Sequence, residues 1–446
     1  MTALAIARLL ARPATSGRAA IGLPVVAFAI ATALLLTTLA GAMSFFRWHD
    51  ELGFTYQVLA IFASALLLVP LASLGGSAAR LSARRRDDRL ATLRLLGATT
   101  GFVARLTVLE SIALAVAGGL IGVALYLALT PLVGLLSFRG APIGAGALLL
   151  NPLVVAAVVV GVGLLAGVSA AIGLRGVVVS PLGVRTRQAA PRSHWVRVLV
   201  GIGILAAVVF CVANPSLLGG ALTVIIVLAV AFAAANAVLG LVGPFVIRRF
   251  AASGLRRAST PQRLIAARSV LESPKAAWRQ VSGVAMTTFI AVFAGTALAM
   301  IGAVSGERAD RDQVILLGDI RTGVFITLAI SFVMVACSVG VSQASAILDR
   351  RDLYVSLDRL GMPVRTMNAA RVRAVLSPLR IVTVGSAVTA VVIVLPMAGV
   401  ALVLAPLSLL TIAASITAGI AVVWLGLVAT RPVLRRVLAE PAAMAE

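Results

Sequence analysis

Three groups of residues in this 446-residue chain have types and spacings that could do chemistry. The densest is Arg84, Arg85, Arg86, Asp87, Asp88 and Arg89, followed at helical spacing by Leu90, Leu93 and Leu96 and then by Gly97. A short amphipathic helix of this kind, apolar along one side and basic around it, is suited to lie on a membrane or to enter a groove in a partner. The second group is Glu110 with Gly118, Gly119 and Gly122 inside an apolar run. An acid at mid-membrane costs about 2.5–3.5 kcal/mol on insertion scales, so Glu110 is placed nearer an interface and read either as a structural partner of an arginine, such as Arg105 or one from the second half, or as a direct participant in transport. The glycines read as close helix packing. The third group, His49-Asp50-Glu51, has metal-ligand residue types, but three adjacent residues match a ligand pattern loosely and are read as a solvated loop. No GxxxxGK[ST] phosphate loop occurs, so the chain does not hydrolyse ATP in that manner. No catalytic residue, bound cofactor or metal is assigned to it.

These groups sit in a duplicated frame. A shift of 264 residues sets Arg86 on Arg350, Asp88 on Asp352, Leu93 on Leu357, Leu96 on Leu360 and Gly97 on Gly361. The second copy, Arg350, Arg351 and Asp352 through Leu357, Leu360 and Gly361, keeps the basic start and the glycine end. It departs further on, where Ala374 stands in the place of Glu110 and the glycine run is missing. Upstream, AIARLLARP (5–13) and LIAARSVLESP (264–274) each precede an apolar run, and SPLGVR (180–185) closes the first half as EPAAMA (440–445) closes the second.

Composition fixes the solvent: 61% of residues are hydrophobic and 12% charged, which belongs to a chain whose surface faces lipid. Apolar windows fall near 21–46, 55–79, 106–137, 148–174, 198–213, 217–247, 280–304, 322–348, 381–398 and 402–430. Their length predicts helices rather than barrel strands. The expected fold is all-α: a polytopic membrane protein of about ten spans arranged four, two, four, with two parallel repeats. The organisation is 1–190 for the first unit, 191–258 for a linker and helix pair, and 259–446 for the second unit. The first run is too long for a signal-peptide core and is expected to stay as an anchor. With the N-terminus and C-terminus cytoplasmic, only Arg47, Arg139, Arg308, Arg311 and Arg321 of the basic residues lie outside, as the positive-inside rule requires. The net charge of +23 then describes one membrane face and anionic headgroups, not nucleic acid. Cys211 and Cys337 fall in spans and give no disulfide framework. Asn236, in the middle of the sixth span, is expected to bond between helices.

The arginine-rich entry, the helix ending LRLLGAT (93–99), and Glu110 followed by Gly118, Gly119 and Gly122 resemble the permease domain of the FtsX and MacB family of ABC transporters. Two such units with an extra helix pair are most similar to the ten-helix, bacitracin-exporter-like branch, here without its large extracellular domain. The resemblance implies that the two basic helices couple to two copies of a separate ABC ATPase subunit, which would carry ATP and magnesium. It implies ATP-driven export or membrane extraction of an amphipathic substrate, an antibiotic, antimicrobial peptide or lipid, at a bacterial plasma membrane. An ion-coupled secondary transporter is a different class compatible with internal repeats, and lacks support because no acid or histidine stands out at mid-membrane. A non-transporting signalling scaffold also fits the family. A third basic stretch, Arg248 to Lys275, has Ser259 and Thr260 as caps, Pro261 in a first turn and Pro274 as a stop, and is expected to lie along the inner leaflet.

Overall fold

In a computed structural model the described residues are 19–84, 99–178, 196–214, 221–304, 311–404, 406–432 and 434. Long runs of Ala, Leu, Val and Ile with few breakers make helices of them, since a chain in lipid must satisfy every backbone group within its own segment. In chain order they are α1 (Ala19–Phe45), α2 (Glu51–Arg84), α3 (Thr100–Gly134), α4 (Pro152–Val178), α5 (Val196–Ala213), α6 (Ala221–Arg256), α7 (Pro261–Glu272), α8 (Pro274–Val304), α9 (Arg311–Asp349), α10 (Arg351–Arg359), α11 (Val364–Leu404) and α12 (Pro406–Ala429). Between α3 and α4 lie two short strands, β1 (Ser137–Phe138) and β2 (Ala141–Pro142), paired antiparallel, and a 3-10 turn at Ala145–Leu148. Leaving out α7 and α10, ten helices are long, in agreement with the ten apolar windows. Six stretches, Gly22–Phe45, Ala104–Gly134, Pro152–Ile172, Val230–Arg256, Val314–Ile347 and Val364–Ile393, are long and apolar enough among the described residues to cross a membrane.

Two boundaries differ instructively from the sequence expectation. The window 381–398 is the middle of a helix that runs from Val364 to Leu404. Arg371, Arg373 and Arg380 interrupt its hydropathy without interrupting the helix, because arginine is a good helix former. Pro274 does not simply end α7: the break is Ser273, with φ −147° and ψ 80°, and Pro274 is the first residue of α8. A proline costs nothing at that position, where its missing N–H would have had no partner. Proline also opens α4, α7 and α12.

Contacts divide the chain into two compact units: residues 1–57, 71–189 and 341–349 form the first, and 58–70, 190–340 and 350–446 the second. In the first, Leu36 and Ala40 of α1 pack with Tyr126 of α3 and Leu148 of the 3-10 turn, and Ala27 and Phe28 with Ala78, Ala115, Ala166 and Val341. The Tyr126 hydroxyl donates to the Leu148 carbonyl and accepts from Leu150 N–H at 3.1 Å, so the buried phenol is satisfied. In the second, Val281 and Val284 of α8 pack with Val335 and Val339 of α9, Leu379 and Val382 of α11, and Val423 and Leu427 of α12. Outward-facing Leu120, Leu132, Leu153 and Leu164 are exposed, which is stable where the surroundings are acyl chains.

Candidate coupling interface

The second basic segment forms α10, and its two ends are specified by different means. Arg350, the residue before it, donates from Nη2 to Glu272 Oε2 at 3.0 Å and from Nη1 to Ser269 Oγ at 3.1 Å, tying the helix start to the end of α7. At the other end Gly361, at φ 80°, donates its N–H to the Asp358 carbonyl at 2.8 Å, and Met362 N–H reaches the Leu357 carbonyl at 3.0 Å. That pair of bonds is a Schellman stop, and a left-handed residue at its hinge is what glycine supplies without strain. Pro363 comes next, and its carbonyl accepts from Thr366 and Met367 N–H to start α11.

The helix presents an apolar edge. Leu360 is 82% exposed and Leu353 50%, whereas Tyr354, Val355 and Leu357 are half-buried. Burial pushes the Tyr354 phenol up, and Arg371 and Arg350 nearby pull it back down. Arg351 and Asp352 provide the backbone of the first turn. Of the first motif, Arg84 ends α2, while Arg85, Arg86, Asp87, Asp88, Arg89, Leu93, Leu96 and Gly97 lie outside the described residues. So do AIARLLARP, the 185–194 linker and both closing segments. Thr99 caps α3, its hydroxyl accepting Phe102 N–H at 3.4 Å. The starts of α3 and α11, Thr100 and Val364, are separated by the offset that relates the two motifs.

Within the first unit, α3 meets α1 through its glycines. A Cβ on Gly118 would lie 2.6 Å from Phe28 Cβ and 2.7 Å from the Val25 carbonyl oxygen, and one on Gly122 2.6 Å from the Ala29 carbonyl oxygen. Gly119 faces α4, where Val159 would be 3.2 Å away. Glu110, before them on α3, is exposed, as is Arg105. Asn236 donates at 2.9 Å to the Phe232 carbonyl of its own helix, so its amide serves α6 itself and not the interhelical bond expected. A buried bond between hydroxyls, Thr287 Oγ1 and Ser331 Oγ at 2.7 Å, joins α8 to α9.

Two arginine sites escaped the sequence reading. Arg139 occupies the β1–β2 turn at φ 56°, with Gly140 at φ 77°, the left-handed pair of a tight hairpin. Its guanidinium grips Asp50 through both nitrogens, at 2.7 and 3.2 Å, and lies 4.5 Å from the Trp48 ring centroid and 5.0 Å from that of Tyr56. Phe45 and Phe138 complete the aromatic cluster. Arg139 holds the Asp50 carboxyl below its usual range, and His49 Nδ1 lies 2.9 Å from the Arg47 carbonyl. The signal in the sequence was the Arg-Gly pair between apolar residues; its partner, 89 positions away, was not legible. Arg371 of α11 is 7% exposed and donates to Thr430 Oγ1 at 2.6 Å, the Leu427 carbonyl at 3.2 Å and Asn368 Oδ1 at 3.0 Å. It thereby closes the carboxyl end of α12, where a cation offsets the helix dipole.

Ten long helices with an amphipathic helix set between two of them define a multi-pass α-helical membrane protein. Residues 61–179, which run from within α2 through the basic motif, α3 and the hairpin to the end of α4, match the family model of the FtsX-like permease C-terminal domain. Over those residues, roughly a quarter of its length, the chain is similar to the FtsX-like permeases. No curated protein and no solved structure was found to match it.

Proposed function

We propose that the chain is the transmembrane permease subunit of an ABC transporter in a bacterial plasma membrane, with both termini cytoplasmic. It works with two copies of a separate ATPase, which binds ATP and magnesium, and exports or extracts an amphipathic substrate such as an antibiotic, an antimicrobial peptide or a lipid. The observation that carries this reading is the FtsX-like domain at 61–179 together with the exposed leucines of α10, the element at the matching offset. A helix pinned at its start by Arg350, stopped at Gly361 and apolar on its free edge is suited to fit a groove on a soluble partner. Closure of two ATPases on nucleotide would move the Arg84–Gly97 and Arg350–Gly361 segments and tilt the helices that come after each of them.

Purification of the chain from its native membrane at low salt, with the stoichiometry of the proteins that accompany it, tests the proposal. Two ATPase subunits per chain are expected. Leu360→Glu should lose them while inserting and folding normally, because its side chain is almost wholly exposed. An intact chain that recovers no ATPase under these conditions would sink the reading. Ion-coupled transport has one observation in its favour: Asp319 is buried within the apolar stretch Val314–Ile347. A pH gradient that drives substrate movement in vesicles without ATP, and fails to do so with Asp319→Asn, would favour it.

A further inference from the structure

The end of α6, the whole of α7 and the start of α8 form the most basic surface among the described residues. Between Arg248 and Arg279 eight cationic side chains are exposed, and Glu272 is the one acid in the stretch. The position of this band is set by length. The apolar part of α6, Ala221 to Ile247, spans about 40 Å at about 1.5 Å per residue, more than the ~30 Å hydrocarbon core, so Arg248 and the residues after it emerge at the headgroup level. There α7 turns aside between Pro261 and Pro274 and buries Ala266 and Val270 on the core of its unit. It turns Arg263, Leu264 and Arg268 outward. Phe250 is 57% exposed and Leu264 46%, apolar wedges among arginines. Cations for phosphates and apolar side chains for the upper acyl region are the combination that seats a helix on an anionic leaflet.

The same helix holds α10. Ser269 and Glu272, both on α7, are the residues that Arg350 grips. We propose that the Arg248–Arg279 band binds the headgroups of anionic lipids, and that through Glu272 and Ser269 this binding holds α10 in place. The first statement stands apart from any transport function, whereas the significance of the second for an ATPase rests on the function proposed above.

The test uses the full-length chain, delipidated in neutral detergent, with phosphatidylglycerol or phosphatidylcholine added and retention read by native mass spectrometry. Phosphatidylglycerol should be retained preferentially. Arg256→Gln, Arg257→Gln, Arg263→Gln and Arg268→Gln combined should reduce its affinity at least about tenfold, since each charge near an anionic surface contributes on the order of 1 kcal/mol. Arg47→Gln and Arg321→Gln combined, at exposed positions assigned to the opposite membrane face, should leave it within about twofold. Equal retention of phosphatidylcholine, or equal loss in both variants, would overturn the site. So would full competition by the soluble headgroup glycerophosphoglycerol, which would make it a phosphate site, or a preference for acidic polypeptide over lipid. Hydrogen exchange tests the link: phosphatidylglycerol should slow exchange of the Arg351–Arg359 amides in the wild type and not in Glu272→Gln, which still binds the lipid. The same protection in both, or none in either, would remove the link and leave the binding site intact.

Discussion

The α1–α3 contact in the first unit and the α8–α11 contact in the second occupy equivalent places in the sequence repeat and are packed by opposite means. In the first, Gly118 and Gly122 remove side chains so that α3 approaches the α1 backbone at Val25 and Ala29. At the matching offset the second has Val382, Thr383 and Ser386, all buried and 5% or less exposed. The hydroxyls of Thr383 and Ser386 have no hydrogen-bond partner among the described groups. The second unit closes its core with volume, through Val281, Val284, Leu379 and Val382, and keeps its tightest glycine contact for a side chain, Trp278 over Gly243. Helix pairs can therefore share a register and still differ in mechanics: backbone-to-backbone contact tolerates no added atom, whereas side-chain packing has rotamers in reserve.

The largest expected effect breaks the glycine contact. Gly118→Ala with Gly122→Ala should destabilise the first unit by about 1–3 kcal/mol per site, because the added Cβ meets backbone, which does not yield. Gly385→Ala on α11, where a Cβ meets nothing within 4 Å, should change thermal unfolding in detergent little. Equal melting shifts at both places would end the contrast. Next comes Arg371→Ala, expected to cost about 2 kcal/mol by leaving the α12 carboxyl end without its donors. Arg371→Lys should recover part of this, and a neutral Arg371→Ala would show the helix end to be satisfied otherwise. Smaller still, and of opposite sign, Thr383→Val and Ser386→Ala should be neutral or stabilising by up to about 1 kcal/mol, since each removes a buried hydroxyl without a partner. A marked loss of stability on either would reveal an ordered water there.

The smallest effect concerns the Arg139 hairpin. The folded Asp50 carboxyl titrates below its unfolded value, so the stabilisation is fully present above the ordinary Asp range, near 3.9, and is lost as pH falls through the depressed folded value. Trp48 fluorescence should respond to acid in that window, and Asp50→Asn should abolish the response. A response in the variant equal to that of the wild type would assign it to another group.

Much of this was open to inspection in the sequence. The ten apolar runs and the glycine after the basic helix α10 come from hydropathy and from backbone preferences that act over a few residues. The helix stop at Gly361 is local physics: a left-handed residue is needed, and glycine is there. The Arg373 and Arg380 charges concealed the length of α11 because hydropathy counts charge, and helix propensity does not. The amide of Asn236 was misassigned because a carbonyl of its own helix, four residues back, competes with any neighbour.

The sequence alone determined the solvent and the helices, both consequences of composition and short-range pattern. The tertiary structure decided which atoms meet across it: that Gly118 faces Val25, that Arg139 reaches Asp50, that Arg371 closes α12 and that Arg350 is held by α7. Each of these joins residues tens of positions apart, and the energy of such a contact depends on distances that no local pattern records.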